Sequence, residues 1–163
     1  MCPAETELYD QDLPLWSEQQ ASLLERLAAG ERVNELIDWP NVIEELRDLG
    51  GSELRSCRSW LLLTFVHLLN LKAWPDSLSL RSWTTEVLNF AGQFRKHYAP
   101  SMRQNIEVQA LYTEAVDQVR GLDWPSPTRI PDSCPYTLDD LISPQNTISS
   151  LLAKLDASPD RAG

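Results

Sequence analysis

Whatever this chain folds into must bury the run WLLLTFVHLLNL, residues 60–71. It is too short for a membrane span, which needs roughly 20 apolar residues, and His67 and Asn70 inside it suit a protein core. Upstream, apolar or small residues recur at Val42, Leu46, Leu49, Cys57, Trp60, Thr64 and Leu71. The alternating spacing of three and four is that of one face of an α-helix, and Glu53 and His67 fall on the same stripe. Leu61, Leu62, Leu63, Phe65, Val66, Leu68 and Leu69 fill the other faces, which predicts deep burial of the second half.

The boundaries of this central helix are written in local chemistry. Asp38 precedes Trp39-Pro40, and proline is favoured at a first helical position because no intrahelical N–H is lost there. Glu44, Glu45 and Asp48 suit the positive end of the helix dipole. Trp74-Pro75 marks the other end. Gly50-Gly51 lies between, at a cost of about 1 kcal/mol per glycine relative to alanine. A continuous helix would span roughly 48 Å at 1.5 Å per residue. A compact domain of this length is about 40 Å across. A kink at the glycines or a protruding end used in dimerisation is expected, with a full stop capped by Ser52 as the alternative.

Around this element the pattern is helical throughout. Leu13, Trp16, Gln20, Leu23 and Leu27 outline an amphipathic helix from Asp12 to Ala29, closed by Gly30. ERVNELID could form one or two turns. A third helix, about 81–98, lines up Trp83, Val87, Phe90, Phe94 and Tyr98. A fourth, about 101–120, lines up Met102, Ile106, Gln109, Tyr112, Val116 and Val119. PSPTRIPDSCP has four prolines and reads as an extended strap. Thr137 is the expected N-cap of a short helix carrying Leu138, Leu141 and Ile142, and NTISSLLAKLD a last amphipathic piece. No strand pattern occurs. Trp-Pro recurs at Trp39, Trp74 and Trp124 with unequal intervals, so it marks boundaries and not a repeat. The expected architecture is an all-α, up-and-down four-helix bundle: an N-terminal arm over 1–12, the bundle over 13–122, and a proline-rich C-terminal strap with short helices over 123–163.

The chain has 163 residues, enough for one domain with a real core, and a formal net charge of −10. That charge disfavours direct contact with nucleic acid, where clustered Lys and Arg are needed, and disfavours anionic membranes. It fits a basic protein partner, although excess acid also serves solubility alone. Cys2, Cys57 and Cys134 have no metal-type spacing, and Cys57 reads as a small buried hydrophobe. The acidic N-terminus lacks signal-peptide order, so a cytoplasmic location is expected.

The order of motifs is similar to that of one family. Tyr9, Asp10 and Asp12 precede Trp16. Ile37, Asp38, Trp39, Asn41, Ile43, Glu44, Glu45, Leu46, Asp48, Leu49 and Gly50 form a second motif. His67-Leu68-Leu69 with Lys72, then Arg81-Ser82-Trp83, and finally Cys134-Pro135-Tyr136-Thr137-Leu138 follow. Together these resemble the bacterial family called domain of unknown function 29, over roughly residues 8–142. The resemblance implies an all-helical bundle and no particular activity. Gly51 departs from the polar or basic residue expected after Gly50.

Three sets of residues are candidates for a site. Glu44, Glu45 and Asp48 with His67 offer ligands for zinc or a di-iron centre. On one straight helix, however, Asp48 and His67 lie about 28 Å apart, and Glu-x-x-His is absent. Dipole-matched acids and a hydrogen-bonded core histidine explain the same residues. Arg81 with Trp83 could bind an anion, or Arg81 could seat the third helix on a carboxylate of the central one. The aromatic stripe of the third helix could line a pocket, but its spacing is that of core packing. No phosphate loop, nucleophile elbow, C-x-x-C or H-E-x-x-H is present, and no cofactor is expected. The reading that follows is a non-enzymatic protein-interaction module for a basic partner, antitoxin-like in its acidity, with a homodimer as a further assembly. A metal-dependent or hydrolytic enzyme built on the acidic cluster and His67 is the alternative.

Overall fold

The structure, a computed structural model, describes residues 8–126 and 128–158. Cys2 and most of the expected N-terminal arm lie outside them. No strand occurs among the described residues. The helices are α1 (Leu13–Ala28), α2 (Trp39–Ala73), α3 (Leu80–His97), α4 (Val108–Gly121), α5 (Leu138–Ile142) and α6 (Ile148–Ala157). Short 3₁₀ segments cover Asn34–Leu36 and Pro100–Asn105, and residues 8–11 are also helical. No helix among the described residues is long and apolar enough to cross a membrane.

Contacts divide the chain into two compact units, Met1–Ser52 and Glu53–Gly163. The first is organised by α1 and the start of α2. The Asp12 side chain accepts from the Leu15 N–H and Pro14 occupies the first turn, so two independent signals start α1. Gly30 ends it at φ +90°, and Glu31 N–H reaches back to the Arg26 carbonyl. This is the left-handed position that a glycine takes without a Cβ clash. The core here is small: Trp16, Ile37 and Val42, with Leu8, Tyr9, Leu23, Leu24 and Leu27 packed around them.

A buried polar network fixes the start of α2. Asp38 is 4% exposed. Its Oδ2 accepts from Trp16 Nε1 at 3.2 Å and Asn41 Nδ2 at 2.7 Å, and its backbone N–H donates to Gln20 Oε1 at 2.8 Å. These hydrogen bonds replace water at Oδ2, while the buried Oδ1 has no partner among the described residues. α2 runs without interruption through Gly50-Gly51, so the full stop at Ser52 does not occur. A Cβ added at Gly50 would meet nothing within 4 Å.

The expected burial of the α2 stripe holds only in part. Val42, Cys57, Thr64 and Leu71 are buried, but Leu46 and Leu49 are 66% and 64% exposed. At 3.6 residues per turn these two continue the line of Val42. The small core around Trp16 covers Val42 and stops short of them.

The second unit holds the larger core. Leu61, Phe65, Leu68 and Leu69 of α2 pack with Val87 and Phe94 of α3, with Leu111, Tyr112, Ala115, Val116 and Val119 of α4, and with Leu151 and Leu155 of α6. Phe65 stacks on Tyr136 and meets Tyr112 edge-on. The expected fourth helix is split. Pro100–Asn105 is 3₁₀, and Ile106 is extended and 5% exposed before α4 begins. Burying Ile106 in the core takes precedence over a continuous helix. Gln109, expected inward, is exposed. Its Oε1 accepts from the Cys134 N–H, and so holds the strap.

Side chains replace secondary structure along the described part of the strap. Tyr112 and Tyr136 donate their hydroxyls to the carbonyls of Pro131 and Leu151, both at 2.8 Å. Arg120 pairs with Asp132, and Ile130 is buried. Thr137 is the N-cap expected of it and forms a capping box with Asp140, starting α5. Asp140 is also paired with Lys154 of α6 at 2.6 Å, and Lys72 of α2 with Asp156.

Candidate functional site

The acidic motif residues do different jobs. Glu44 and Asp48 are exposed. Glu45 accepts a 2.7 Å hydrogen bond from the Tyr9 hydroxyl. That bond, with partial desolvation and the charges of Glu45, Glu44 and Asp48, pushes the Tyr9 pKa up to about 12. The Y-D-x-D motif and the acidic motif are thus joined physically, Tyr9 to Glu45 and Trp16 to Asp38.

His67 belongs to the second unit. Its ring stacks on Phe90 with centroids 5.7 Å apart, and its Nδ1 is buried without a hydrogen-bond partner among the described residues. Burial lowers its pKa, and Glu86 opposes the shift. Among the described residues no group of three or more His, Cys, Asp or Glu is placed to hold a metal. The core hydrogen bond expected of His67 is absent at Nδ1. The other histidine, His97, faces Glu53 at 3.1 Å and packs on Trp60. Neither described thiol is shifted toward the thiolate: burial pushes buried Cys57 up, and half-buried Cys134 up to about 11.

Arg81 is exposed, and no carboxylate among the described residues pairs with it, contrary to its expected role in seating α3. Trp83 is half-buried and lines a cavity of about 660 Å³ at the end of α2. Here the aromatic stripe of α3 departs from simple core packing: Val87 and Phe94 are buried, while Trp83 borders open space.

The apolar surface of the first unit is the feature that sequence periodicity concealed. Trp39, Ile43, Leu46 and Leu49 are all at least 36% exposed on the first half of α2. Glu44 and Asp48 stand beside them. Residues 1–52 contain twelve acidic and three basic residues, nine of the chain's ten net negative charges, while residues 53–163 are nearly balanced. An exposed apolar stripe within an acidic surface can desolvate against an apolar face and attract cationic flanks at the same time.

A family model described as "Domain of unknown function DUF29" matches residues 8–146. No curated protein matches the chain in sequence. Among solved structures, the chain is similar to the crystal structure of an alpha-helical protein of unknown function from Rhodospirillum rubrum ATCC 11170. That likeness has 22% identity and a TM-score of 0.68, covering 90% of this chain and 96% of the other. At this identity the likeness establishes the helical fold and nothing about activity.

Proposed function

Because the chain belongs to the DUF29 family, whose name carries no activity, we propose from its own surface that it is a protein-interaction module. In this reading the first unit takes a basic, amphipathic segment of another protein. One observation carries it: Ile43, Leu46 and Leu49 lie exposed beside Glu44 and Asp48, in the part of the chain that holds almost all the net charge. A partner helix would place apolar residues at three- and four-residue spacing on this stripe and Lys or Arg on its flanks. The apolar contact would supply affinity, and the charges orientation and encounter rate. An acidic chain acting this way would neutralise a basic partner, which is the sense in which it is antitoxin-like. Self-pairing through the same stripe would bring like charges together, and is disfavoured for that reason.

Two fluorescein-labelled helical peptides test the reading. They share one apolar face and differ only in Lys or Glu flanks. Anisotropy should show saturable binding of the Lys peptide, weakened at least tenfold by the Leu46→Glu/Leu49→Glu double variant and strongly reduced by 0.5 M salt, where the Debye length is roughly half that at 0.1 M. Equal binding of the Glu peptide, or a double variant that binds as well as the parent, would refute it. Sedimentation that reveals a dimer abolished by the double variant would replace it with self-association.

A further inference from the structure

The cavity at the end of α2 lies wholly in the second unit and has no part in the interaction surface above. Val66 and Asn70 of α2 and Trp74, the residue just past its end, follow one another at four-residue spacing and line it from one side. Trp83 from the start of α3 and Trp124 after α4 complete an aromatic wall. The Trp74 ring lies 6.2 Å from Trp83 and 5.6 Å from Trp124, the latter edge-on. The wall is built and held. Asp123 takes a left-handed φ of 53°, rare outside glycine, as the chain turns into Trp124. Trp74 Nε1 donates to the Pro125 carbonyl at 2.8 Å, and Ser126 Oγ to the Ala73 carbonyl at 3.0 Å.

One polar group in the cavity has no internal explanation. Asn70 is 6% exposed, and its Oδ1 is buried without a hydrogen-bond donor among the described residues. A buried acceptor left unmade costs free energy that an apolar residue of similar size would avoid. Asn70 lines the cavity, and a turn of its amide would bring this acceptor to the cavity surface once a donor enters. The electrostatics select which donor. Asp76 lines the cavity, and no Lys, Arg or His does. α2 and α4 both end there, each with the partial negative charge of a helix C-terminus, against one N-terminus from α3. Indole faces also attract cations. The basic residues near these two ends are engaged elsewhere, Lys72 with Asp156 and Arg120 with Asp132.

We propose that this cavity binds a small organic cation, an ammonium-bearing molecule with an apolar body. Its N–H donates to Asn70 Oδ1 after the amide has turned toward it, and its body lies against Trp74, Trp83 and Trp124. The volume, about 660 Å³, falls in the range of small-molecule sites. An anionic ligand would meet Asp76 and two helix C-termini without a compensating cation.

The test uses three probes of one shape and different charge: phenethylamine, 2-phenylethanol and phenylacetate. They are titrated into the full chain and followed by tryptophan fluorescence and calorimetry. Phenethylamine should bind saturably, roughly tenfold tighter than the alcohol, and phenylacetate weakest. Asn70→Leu should weaken phenethylamine roughly tenfold while the melting temperature stays level or rises, because an unpaired buried acceptor is removed. Trp124→Ala, a truncation at a residue 57% exposed, should abolish the fluorescence response with the fold intact by circular dichroism. Equal affinity for the three probes, preference for phenylacetate, or no saturation by phenethylamine up to about 10 mM would overturn the proposal. So would an Asn70→Leu protein that melts lower and binds phenethylamine unchanged.

Discussion

The indole N–H of Trp16 donates to the carboxylate of Asp38 across 3.2 Å, tying the first turn of α1 to the residue before α2. Both side chains are buried, and Gln20 and Asn41 join the arrangement, which leaves Asp38 Oδ1 without a donor among the described residues. Asp38→Ala removes the acceptor shared by two donors. Leaving those donors unpaired should cost about 2–4 kcal/mol. Asp38→Asn keeps one carbonyl oxygen and should cost less. Urea unfolding monitored by Trp16-weighted fluorescence measures both; an alanine variant as stable as the asparagine one would contradict the network's role.

Tyr9 should titrate unusually late. Its hydroxyl is held protonated by Glu45, with a pKa of about 12 against an ordinary 10.0. A raised pKa on a group that is neutral when protonated stabilises the fold below the unfolded value. That contribution fades as pH rises from 10 through 12. The difference in 295 nm absorbance between parent and Tyr9→Phe should therefore have its midpoint near 12. A midpoint near 10 would show that the hydrogen bond to Glu45 does not persist in solution.

His67 sets a sensitivity at the acid side. Burial lowers its pKa below 6.5, so its neutral form contributes stability above that pH. The contribution is lost as pH falls through the lower, folded value. Proton NMR of its ring should place the midpoint below that of a model imidazole. His67→Phe preserves a ring against Phe90 and removes the unpartnered Nδ1. It should flatten the acid limb of the stability curve below the ordinary value of 6.5; an unchanged limb would assign that sensitivity to other groups.

Gly50 is helical, exposed and free of any steric demand for glycine. Gly50→Ala should stabilise the protein by about 0.5–1 kcal/mol, chiefly by restricting the unfolded chain. Thermal melts decide the sign. A loss would mean that α2 bends at this point in solution and that the glycine serves the bend.

Several boundary signals were legible because they are local or nearly so. Asp38 before Trp39-Pro40, Gly30 after α1, and Thr137 with Asp140 each act within a few residues, and each does in the structure what its type allows. The split at Ile106 was not legible, since a 3.6-residue pattern continues through it while the backbone turns to bury that side chain. Asn70 likewise reads in sequence as one polar residue in a greasy run, with nothing to say that it lines a cavity or that its oxygen has no donor among the described residues.

The order of residues by itself determined that the chain is helical, where most helices begin and end, and that residues 60–71 are the heart of a core. Those properties depend on caps, propensities and periodicity, which act over a turn or two of chain. Tertiary structure decided which apolar residues are covered. Val42, Leu46 and Leu49 share one stripe and one kind of side chain, yet only Val42 has Trp16 and Ile37 packed around it. Burial is a property of what lies opposite, and periodicity along one helix carries no information about how far its neighbour reaches.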